Sequence, residues 1–220
     1  MKIEYLGHSC FKLTESTGTS IVTDPYDEAI GYELPKVFAD LITVSHHHYD
    51  HDNIEGVLGN PAVIDRECNF EDFKGVEINS VKSFHDEARG KKRGENIIFK
   101  FRMDGIDVCH LGDLGEACSA ELIENILPVN VLLIPVGGTY TIDATMAKEY
   151  IDRIMPDIVI PMHYKTKQNK IDIDRVDEFI DLIEEDMQVE RVGSELEILR
   201  DDLDGESTKI ILMERKKSNA

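Results

Sequence analysis

A short run of six residues places five potential metal ligands at one point of the chain. It directly follows the apolar segment 41–44 and reads His46-His47-His48-Tyr49-Asp50-His51. His46 and His48 are two positions apart, so in an extended segment their rings project to the same side. Asp50 and His51 follow where the chain must turn. Because imidazole and carboxylate groups suit zinc and its borderline neighbours, the run predicts half of a two-metal site at the end of a buried strand.

Four further histidines stand at or just past the ends of predicted strands. They are His8, His85, His110 and His163, and with the run they make up all eight histidines of the chain. Proteins of the α/β type place their functional sites at strand ends. A single histidine in such a position is more often a core or turn residue than a ligand, but four of them beside the run favour one common site.

The composition fits a single soluble domain. A chain of 220 residues is long enough for one sizeable core, and we predict one domain over residues 1–220. No apolar stretch approaches membrane-spanning length, and the N-terminus has no signal-peptide apolar region, so we expect a soluble cytoplasmic protein. The four cysteines form no Cys-x-x-Cys pair or disulfide-like framework, and we interpret them as reduced thiols that do not bind metal.

The charge balance argues against nucleic acid as a partner. With 44 acidic and 24 basic residues, the formal net charge is −20, which repels a phosphate backbone. We expect no nucleic-acid partner and no membrane partner, and a homo-oligomer is left open. The acidic excess after residue 171 alternates with apolar residues at helical spacing, which is typical of the solvated face of a helix.

The order of predicted elements favours two packed sheets covered by helices. Strands are predicted at Ile3–Leu6, Cys10–Leu13, Ile21–Thr23, Leu41–Val44, Ala62–Ile64, Val76–Phe84, Ile97–Phe101, Ile106–His110, Val131–Ile134, Ile158–Pro161, near Val189, Leu196–Leu199 and Lys209–Met213. Helices are predicted at Ile54–Leu58, Ser119–Leu127, Asp143–Ile154 and Asp172–Glu185. The fold class is therefore α/β, a four-layer αββα sandwich in which helices flank two mixed sheets.

The motifs resemble the metallo-β-lactamase fold superfamily, whose first metal motif is His-x-His-x-Asp-His. The superfamily's early Asp-Pro appears here as Asp24-Pro25, and its later motifs follow in the same order at His85, Gly112-Asp113 and His163. Finer matches are similar to the branch that includes the L-ascorbate-6-phosphate lactonase, most members of which are known only as metal-dependent hydrolases. Those matches are Leu6–Phe11, His110–Asp113, Pro135–Tyr140 and Ile160–Tyr164.

The resemblance implies two divalent ions and a set of seven ligands. One ion would take His46, His48 and His85, the other Asp50, His51 and His163, with Asp113 bridging the two. Zinc is the default metal, and the same ligands accept manganese or iron. In an alternative set, His110 is the ligand and His85 only lines the pocket; otherwise His110 supports a ligand from behind. We expect the His47 ring to point away from the metals.

The implied chemistry is hydrolysis. Two divalent ions about 3.5–4 Å apart lower the pKa of a shared water toward neutrality, and the resulting bridging hydroxide would attack a small ester, lactone or phosphoester. No Cys ligand occurs, and His48 stands where flavodiiron oxygen reductases usually carry Glu, so hydrolysis is favoured over redox chemistry. Asp50 would also orient the nucleophile and carry protons, and His110 and Tyr164 are the other catalytic candidates. Tyr164 would donate to a leaving group or pack beside His163.

Supporting and substrate residues are open to more than one interpretation. Asp24 either accepts a ring N–H from a ligand or forms a turn before Pro25. Arg93, in the basic loop 89–93, would meet a phosphate or carboxylate of an anionic small-molecule substrate, or the loop is simply exposed. Thr139 and Tyr140 line the pocket or form a tight turn, and His8 has the same ambiguity.

Two other functions compete with a small-molecule hydrolase. A nucleic-acid phosphodiesterase would use the same hydroxide, but the strong negative charge and the lack of a basic arm oppose it. A non-catalytic metal-binding protein would keep the ligands without turnover, and the full ligand set argues against it.

Overall fold

The structure, a computed structural model, describes residues 1–218 as an arrangement of short strands with few helices. The strands are β1 (Lys2–Gly7), β2 (Cys10–Thr14), β3 (Ser20–Thr23), β4 (Val37–Phe38), β5 (Leu41–Thr43), β6 (Val57–Leu58), β7 (Ala62–Ile64), β8 (Asn69–Phe73), β9 (Val76–Phe84), β10 (Glu95–Met103), β11 (Ile106–His110), β12 (Val131–Pro135), β13 (Ile158–Met162), β14 (Gln188–Val192), β15 (Glu195–Glu197) and β16 (Lys209–Met213). The α-helices are α1 (Ala120–Ile126), α2 (Ala144–Ile154) and α3 (Val176–Ile183), and 3-10 turns occur at Glu28–Ile30, Ile54–Gly56 and Arg200–Asp202.

Two mixed sheets form the body of the molecule. The six-stranded sheet has the order β15-β1-β2-β3-β5-β7 and changes from antiparallel to parallel pairing at β3. The eight-stranded sheet has the order β14-β16-β13-β12-β11-β10-β9-β8 and changes from parallel to antiparallel at β11. The short strands β4 and β6 form a separate parallel pair.

Apolar side chains fill the space between the sheets and cover both outer faces. Phe11 and Leu13 of the six-stranded sheet pack in one cluster with Phe99 and Leu133 of the eight-stranded sheet. The three α-helices pack on the outer face of the eight-stranded sheet. The outer face of the six-stranded sheet is covered by Tyr26, the first 3-10 turn and the β4–β6 pair. The predicted αββα sandwich with two mixed sheets is confirmed.

Most histidines of interest lie at strand ends, as the sequence predicted. His85 directly follows β9, His110 is the last residue of β11, and His163 directly follows β13. His8 follows β1, and the histidine run begins three residues beyond β5. The ends of strands from both sheets therefore meet at one edge of the sandwich.

Two predicted elements differ in the structure. The helix expected at Ile54–Leu58 is one 3-10 turn followed by β6. The acidic helix begins at Val176 instead of Asp172, because residues 165–174 form a loop whose backbone is bonded elsewhere. The Asp174 amide donates to the Gly137 carbonyl at 2.7 Å, which removes it from any helical ladder. Within the described residues, no helix combines the length and apolar character needed to cross a membrane.

Candidate metal centre

The Asp113 carboxylate lies at the centre of four imidazole rings. Its Oδ2 atom is 3.2 Å from Nε2 of both His85 and His163, and 3.8 Å from Nε2 of His46. Its Oδ1 atom is 3.2 Å from Nε2 of His51. Asp113 is buried, so four rings from three separate parts of the chain share one carboxylate that is shielded from solvent.

The remaining predicted ligands adjoin this cluster. The exposed His48 ring has its centroid 4.5 Å from that of His46 and 5.1 Å from that of His85. The buried Asp50 has Oδ2 3.8 Å from Nε2 of His51. The donor atoms form three groups within 4.8 Å of one another: His46, His48 and His85; His8, Asp50, His51 and His163; and His46, His51 and Asp113.

The geometry of these donors fits divalent metal ions. In a tetrahedral site with arms of about 2.0–2.1 Å, neighbouring ligand atoms are about 3.3–3.4 Å apart, close to the 3.2 Å found around Asp113. His51 Nε2 and Asp113 Oδ1 are buried without a hydrogen-bond partner although they are neighbours. Buried polar atoms normally find such a partner, so these two atoms point at a shared ligand and not at each other.

Burial keeps two of the imidazole rings in the form that binds metal, whereas the Asp113 and Asp50 carboxylates outweigh burial at His51 and raise the pKa of that ring. Desolvation lowers the pKa of His46 well below its ordinary value, and it lowers the pKa of His85 in the same way. Both rings are therefore neutral near pH 7. A neutral imidazole has one ring nitrogen without a proton, and that nitrogen is the metal ligand.

Asp24 and Ser45 hold two of these rings from behind. Asp24 Oδ2 accepts a hydrogen bond from His51 Nδ1 at 2.9 Å and another from Ser45 Oγ at 2.6 Å. Burial raises the pKa of Asp24, but the hydrogen bond from His51 together with the nearby His110, His51 and His46 rings outweighs burial, so the pKa is lowered. The single Ser45 hydroxyl proton is donated to Asp24, so the Oγ lone pair accepts from His46 Nδ1 at 2.9 Å. Both rings thus turn Nε2 toward the centre, which is a role foreseen for Asp24 and missed for Ser45.

Asn96 fixes the turn that carries Asp113, and sequence reasoning missed it. Its Oδ1 accepts from the Asp113 amide at 2.9 Å, and its Nδ2 donates to the Leu111 carbonyl at 2.9 Å and to Ser83 Oγ at 2.7 Å. Asn96 is fully buried. The only signal available was a polar residue that directly precedes the apolar segment 97–101.

His110 is not available as a ligand. Its Nε2 donates to the Ser9 carbonyl at 2.8 Å, and its Nδ1 accepts from the Gly112 amide at 3.1 Å. With both ring nitrogens engaged, it braces the turn before Asp113. Of the two alternatives that the sequence left open, the structure brings His85 to the centre, and it places the catalytic candidate His110 outside the pocket.

Tyr164 and His47 also point away from the centre. His163, in a left-handed backbone conformation just past β13, reaches Asp113, whereas Tyr164 packs among the apolar residues under the helices. Burial raises the pKa of its hydroxyl to about 12. The proposed donation from Tyr164 to a leaving group is not supported by this position. The exposed His47 ring lies 2.7 Å from the Asp52 carboxylate and turns away from the cluster, as predicted.

A pocket of about 610 Å³ opens over the cluster. Besides ligand candidates, its lining includes Tyr49, Arg93, Tyr140, Lys170, Ile171 and Asp172. Arg93 donates to the Thr139 carbonyl at 3.1 Å, and its guanidinium lies 5.4 Å from the centre of the Tyr140 ring. Thr139 is not among the lining residues; it lies in a turn with a φ of +55° and holds Arg93 through its carbonyl. The segment 170–172 was missed because Asp172 was assigned to the predicted helix and Lys170 and Ile171 belonged to no motif.

Two residues of this region have structural tasks that the sequence did not reveal. The buried Asp86 carboxylate accepts hydrogen bonds from the amides of Ala88, Gly90, Lys92 and Arg93 at 2.7–3.0 Å. This network folds the basic loop and presents Arg93 to the pocket. His8, predicted to line the pocket, instead lies behind Asp50, with Nε2 3.2 Å from the Asp50 Oδ2 atom.

Comparison with known proteins identifies the family of this chain. The model of the β-lactamase superfamily domain matches residues 2–163. A UPF0173 metal-dependent hydrolase of Methanospirillum hungatei is 32% identical over 191 residues, covering 76% of this chain and 84% of that protein. Another from Nanoarchaeum equitans is 30% identical over 196 residues, covering 76% of this chain and 85% of that protein.

A solved structure is similar over nearly the whole length. It is a candidate Zn-dependent hydrolase of the metallo-β-lactamase superfamily from Thermotoga maritima, 42% identical, with a TM-score of 0.80 and coverage of 98% of this chain and 99% of that chain. The finer resemblance to the lactonase branch stays a prediction. The family match and these relatives nevertheless agree with a buried His/Asp cluster beneath an open pocket. The chain therefore belongs to the metallo-β-lactamase superfamily, as a metal-dependent hydrolase related to the UPF0173 proteins.

Proposed function

We propose that the chain is a binuclear, zinc-type hydrolase that cleaves a small ester, lactone or phosphoester bearing an anionic group. The observation that carries this proposal is the Asp113 carboxylate, shared by four imidazoles at the floor of an open pocket. When bound, a pair of divalent ions supplies Lewis acidity and a water that is acidic enough to react near neutral pH. Manganese or iron would fit the same nitrogen and oxygen donors.

The ligand candidates divide into two groups around Asp113. His46, His48 and His85 would hold one ion, and Asp50, His51 and His163 would hold the other. The Ser45–Asp24 network restrains the rings of His46 and His51, so little reorganisation is needed when a metal or substrate arrives.

Asp50 is the best-placed residue for handling protons. It lines the pocket and lies beside the cluster, so its carboxylate can orient a water toward a substrate and accept a proton from it. Burial raises the pKa of Asp50, but the His51 and His8 rings together outweigh burial and lower the pKa, which keeps the carboxylate ionised as a hydrogen-bond acceptor.

The pocket favours small anionic substrates over polymers. Its volume of about 610 Å³ lies within the usual range for small-molecule sites. Arg93 and Lys170 place two cations on its wall, in a protein with a net charge of −20. Asp50, Asp113 and Asp172 also line the pocket, so a local reversal of charge requires bound ions that offset the first two carboxylates. A phosphate or carboxylate would then be attracted to Arg93 and Lys170, whereas a long polyanion would be repelled by the surrounding surface. Four free thiols fit a reducing compartment, and we propose a cytoplasmic location.

Metal analysis combined with a hydrolysis panel tests the proposal. We expect close to two divalent ions per chain after zinc reconstitution and turnover of at least one lactone, carboxylic ester or phosphoester. Asp113→Ala should lower kcat/KM at least about 100-fold, since it removes the shared ligand. The matched control is Asp52→Ala, which removes a carboxylate that contacts only the exposed His47 ring in this region. Turnover that survives exhaustive chelation, or zinc that fails to bind, would refute the proposal.

A further inference from the structure

His8 is the one histidine of the cluster that is aligned for a hydrogen bond with a carboxylate ligand candidate. Its Nε2 lies 3.2 Å from Asp50 Oδ2, and the side chain is only 1% exposed. The pair His51–Asp113 has the same 3.2 Å separation but forms no hydrogen bond, and both of its atoms are left without a partner. The two pairs therefore have the same distance but different geometry. The His8 ring nitrogen points at the Asp50 carboxylate, whereas the His51 ring nitrogen points beside the Asp113 carboxylate.

The proton of His8 can be located from the chemistry of its partner. An ionised carboxylate only accepts hydrogen bonds, so His8 Nε2 must carry the proton, whether the ring is neutral or charged. A nitrogen that carries a proton has no lone pair for a metal. The other ring nitrogen, Nδ1, is buried without a partner, so it does not compete for the proton.

The backbone of His8 is held in an unfavourable conformation that aims the ring at Asp50. Its φ of +54° lies in the left-handed region, which residues other than glycine seldom adopt. The Tyr5 hydroxyl donates to the His8 carbonyl at 3.0 Å, and the His163 amide donates to the same carbonyl at 3.2 Å. Such strain persists only where the surroundings determine it, and it is concentrated at functional sites.

We infer that His8 is a positioning residue that fixes the coordination mode of Asp50. By donating Nε2–H to Oδ2, it stops the carboxylate from rotating and holds Oδ2, which also lies 3.8 Å from His51 Nε2, beside the other ligand candidates, with the remaining lone pairs of the carboxylate left for a metal ion. This inference rests on the metal centre of the proposed function. In this role, His8 is neither a substrate contact nor a direct metal ligand.

The tautomer of His8 is measurable by long-range proton–nitrogen NMR of ¹⁵N-labelled protein, metal-free and loaded with zinc. We expect a protonated Nε2 in both states. Loss of this proton on zinc loading, or coupling of a His8 nitrogen to cadmium-113 in the cadmium-substituted protein, would make His8 a ligand and overturn the inference. This test needs no variant and does not depend on turnover.

A pair of variants separates hydrogen bonding from packing. His8→Gln keeps a side-chain N–H, whereas His8→Leu fills similar space without one. In competition with a chromophoric chelator, we expect the affinity for one of two zinc ions to fall about 10–100-fold in His8→Leu and to recover largely in His8→Gln. The control is His47→Gln, which breaks an exposed His–Asp pair and should leave both affinities unchanged.

The outcomes distinguish this inference from the proposed function. Failure of the wild-type protein to bind zinc would refute the metal centre itself. Normal zinc binding in wild type together with equal affinities in His8→Leu, or equal losses in His8→Leu and His8→Gln, would refute only the role of His8.

Discussion

At the scale of single residues, the orientation of the His46 and His51 rings follows from which neighbouring atoms carry a proton to donate. Asp24 is an acceptor, so it draws the only proton of the Ser45 hydroxyl and the Nδ1 proton of His51. Ser45 then has only a lone pair to offer His46. This chain of bonds leaves Nε2 of both His46 and His51 free of partners inside the protein, as a metal ligand must be.

Ser45→Ala should weaken metal binding without disturbing the fold. The change removes the acceptor for His46 Nδ1 and leaves the 2.9 Å contact between Asp24 and His51. Losing a partner behind a ligand typically costs about 10–100-fold in metal affinity. We expect a loss of that size in chelator competition, with the free energy of unfolding of the metal-free protein lowered by about 1–2 kcal/mol.

Ser9→Ala is the matched control for that change. Ser9 is equally buried, but its hydroxyl has no hydrogen-bond partner. Its removal should leave zinc affinity unchanged and should not destabilise the metal-free protein. An equal loss of zinc affinity in both variants would show that the Ser45 hydroxyl acts through packing and not through the ring of His46.

At the scale of elements, the tight turn after β11 decides whether Asp113 reaches the centre. Gly112 adopts a φ of +57°, and a Cβ atom there would lie 2.4 Å from Asn96 Oδ1 and 2.6 Å from the Ser45 Cβ. Both neighbours are residues that organise the site. The turn therefore packs directly against Asn96 and Ser45, and only glycine fits at position 112.

Gly112→Ala should cost about 2–4 kcal/mol of unfolding free energy, because it adds a steric clash to an unfavourable φ. The control is Gly105→Ala in the β10–β11 turn, where φ is +73° but nothing lies within 4 Å of an added Cβ. That variant should lose only about 1 kcal/mol. Urea unfolding of both metal-free proteins measures the difference. Similar losses of unfolding free energy in the two variants would show that a Cβ atom at position 112 causes no steric clash.

The local pattern of apolar residues predicted the strands and helices well where its periodicity was strong. The bounds of β9 and β11 are those that the sequence predicted, and α2 ends at Ile154 as expected. The edge strand β8 was missed because it is short, carries Glu71 and Asp72, and exposes most of its side chains. An edge strand buries little, so its sequence has little apolar pattern to read.

Only those residues of the candidate site could be predicted whose side-chain type alone indicates metal binding. Histidines and aspartates with ligand chemistry stood out, and support of a ligand ring was one of the two roles expected for Asp24, the other being a turn before Pro25. Ser45, Asn96 and Asp86 were not, because their roles depend on partners that the fold brings from elsewhere. The loop 165–174 escaped for the same reason, since the Lys170 amide donates to the carbonyl of Ile30 across the molecule.

At the scale of the whole molecule, the metal centre joins the two sheets. The run from His46 to His51 follows a strand of the six-stranded sheet, whereas His85, Asp113 and His163 follow strands of the eight-stranded sheet. Bound ions would therefore connect the two halves of the sandwich at the edge where their strands end. Without ions, that edge holds three buried ligand atoms that lack a hydrogen-bond partner, Nε2 of His46, Nε2 of His51 and Oδ1 of Asp113.

Metal removal should for this reason lower the stability of the entire fold. An ion that binds only the folded state stabilises it by about 2.7 kcal/mol when its free concentration is 100 times Kd. For a chain of this size, chelation should then lower Tm by about 5–10 °C, and added zinc should restore it. Differential scanning calorimetry with and without chelator measures this shift, and Asp113→Ala should respond far less because it has lost the ligand between the ions. An unchanged Tm in the chelated wild-type protein would mean that the two sheets are held together without the metal centre.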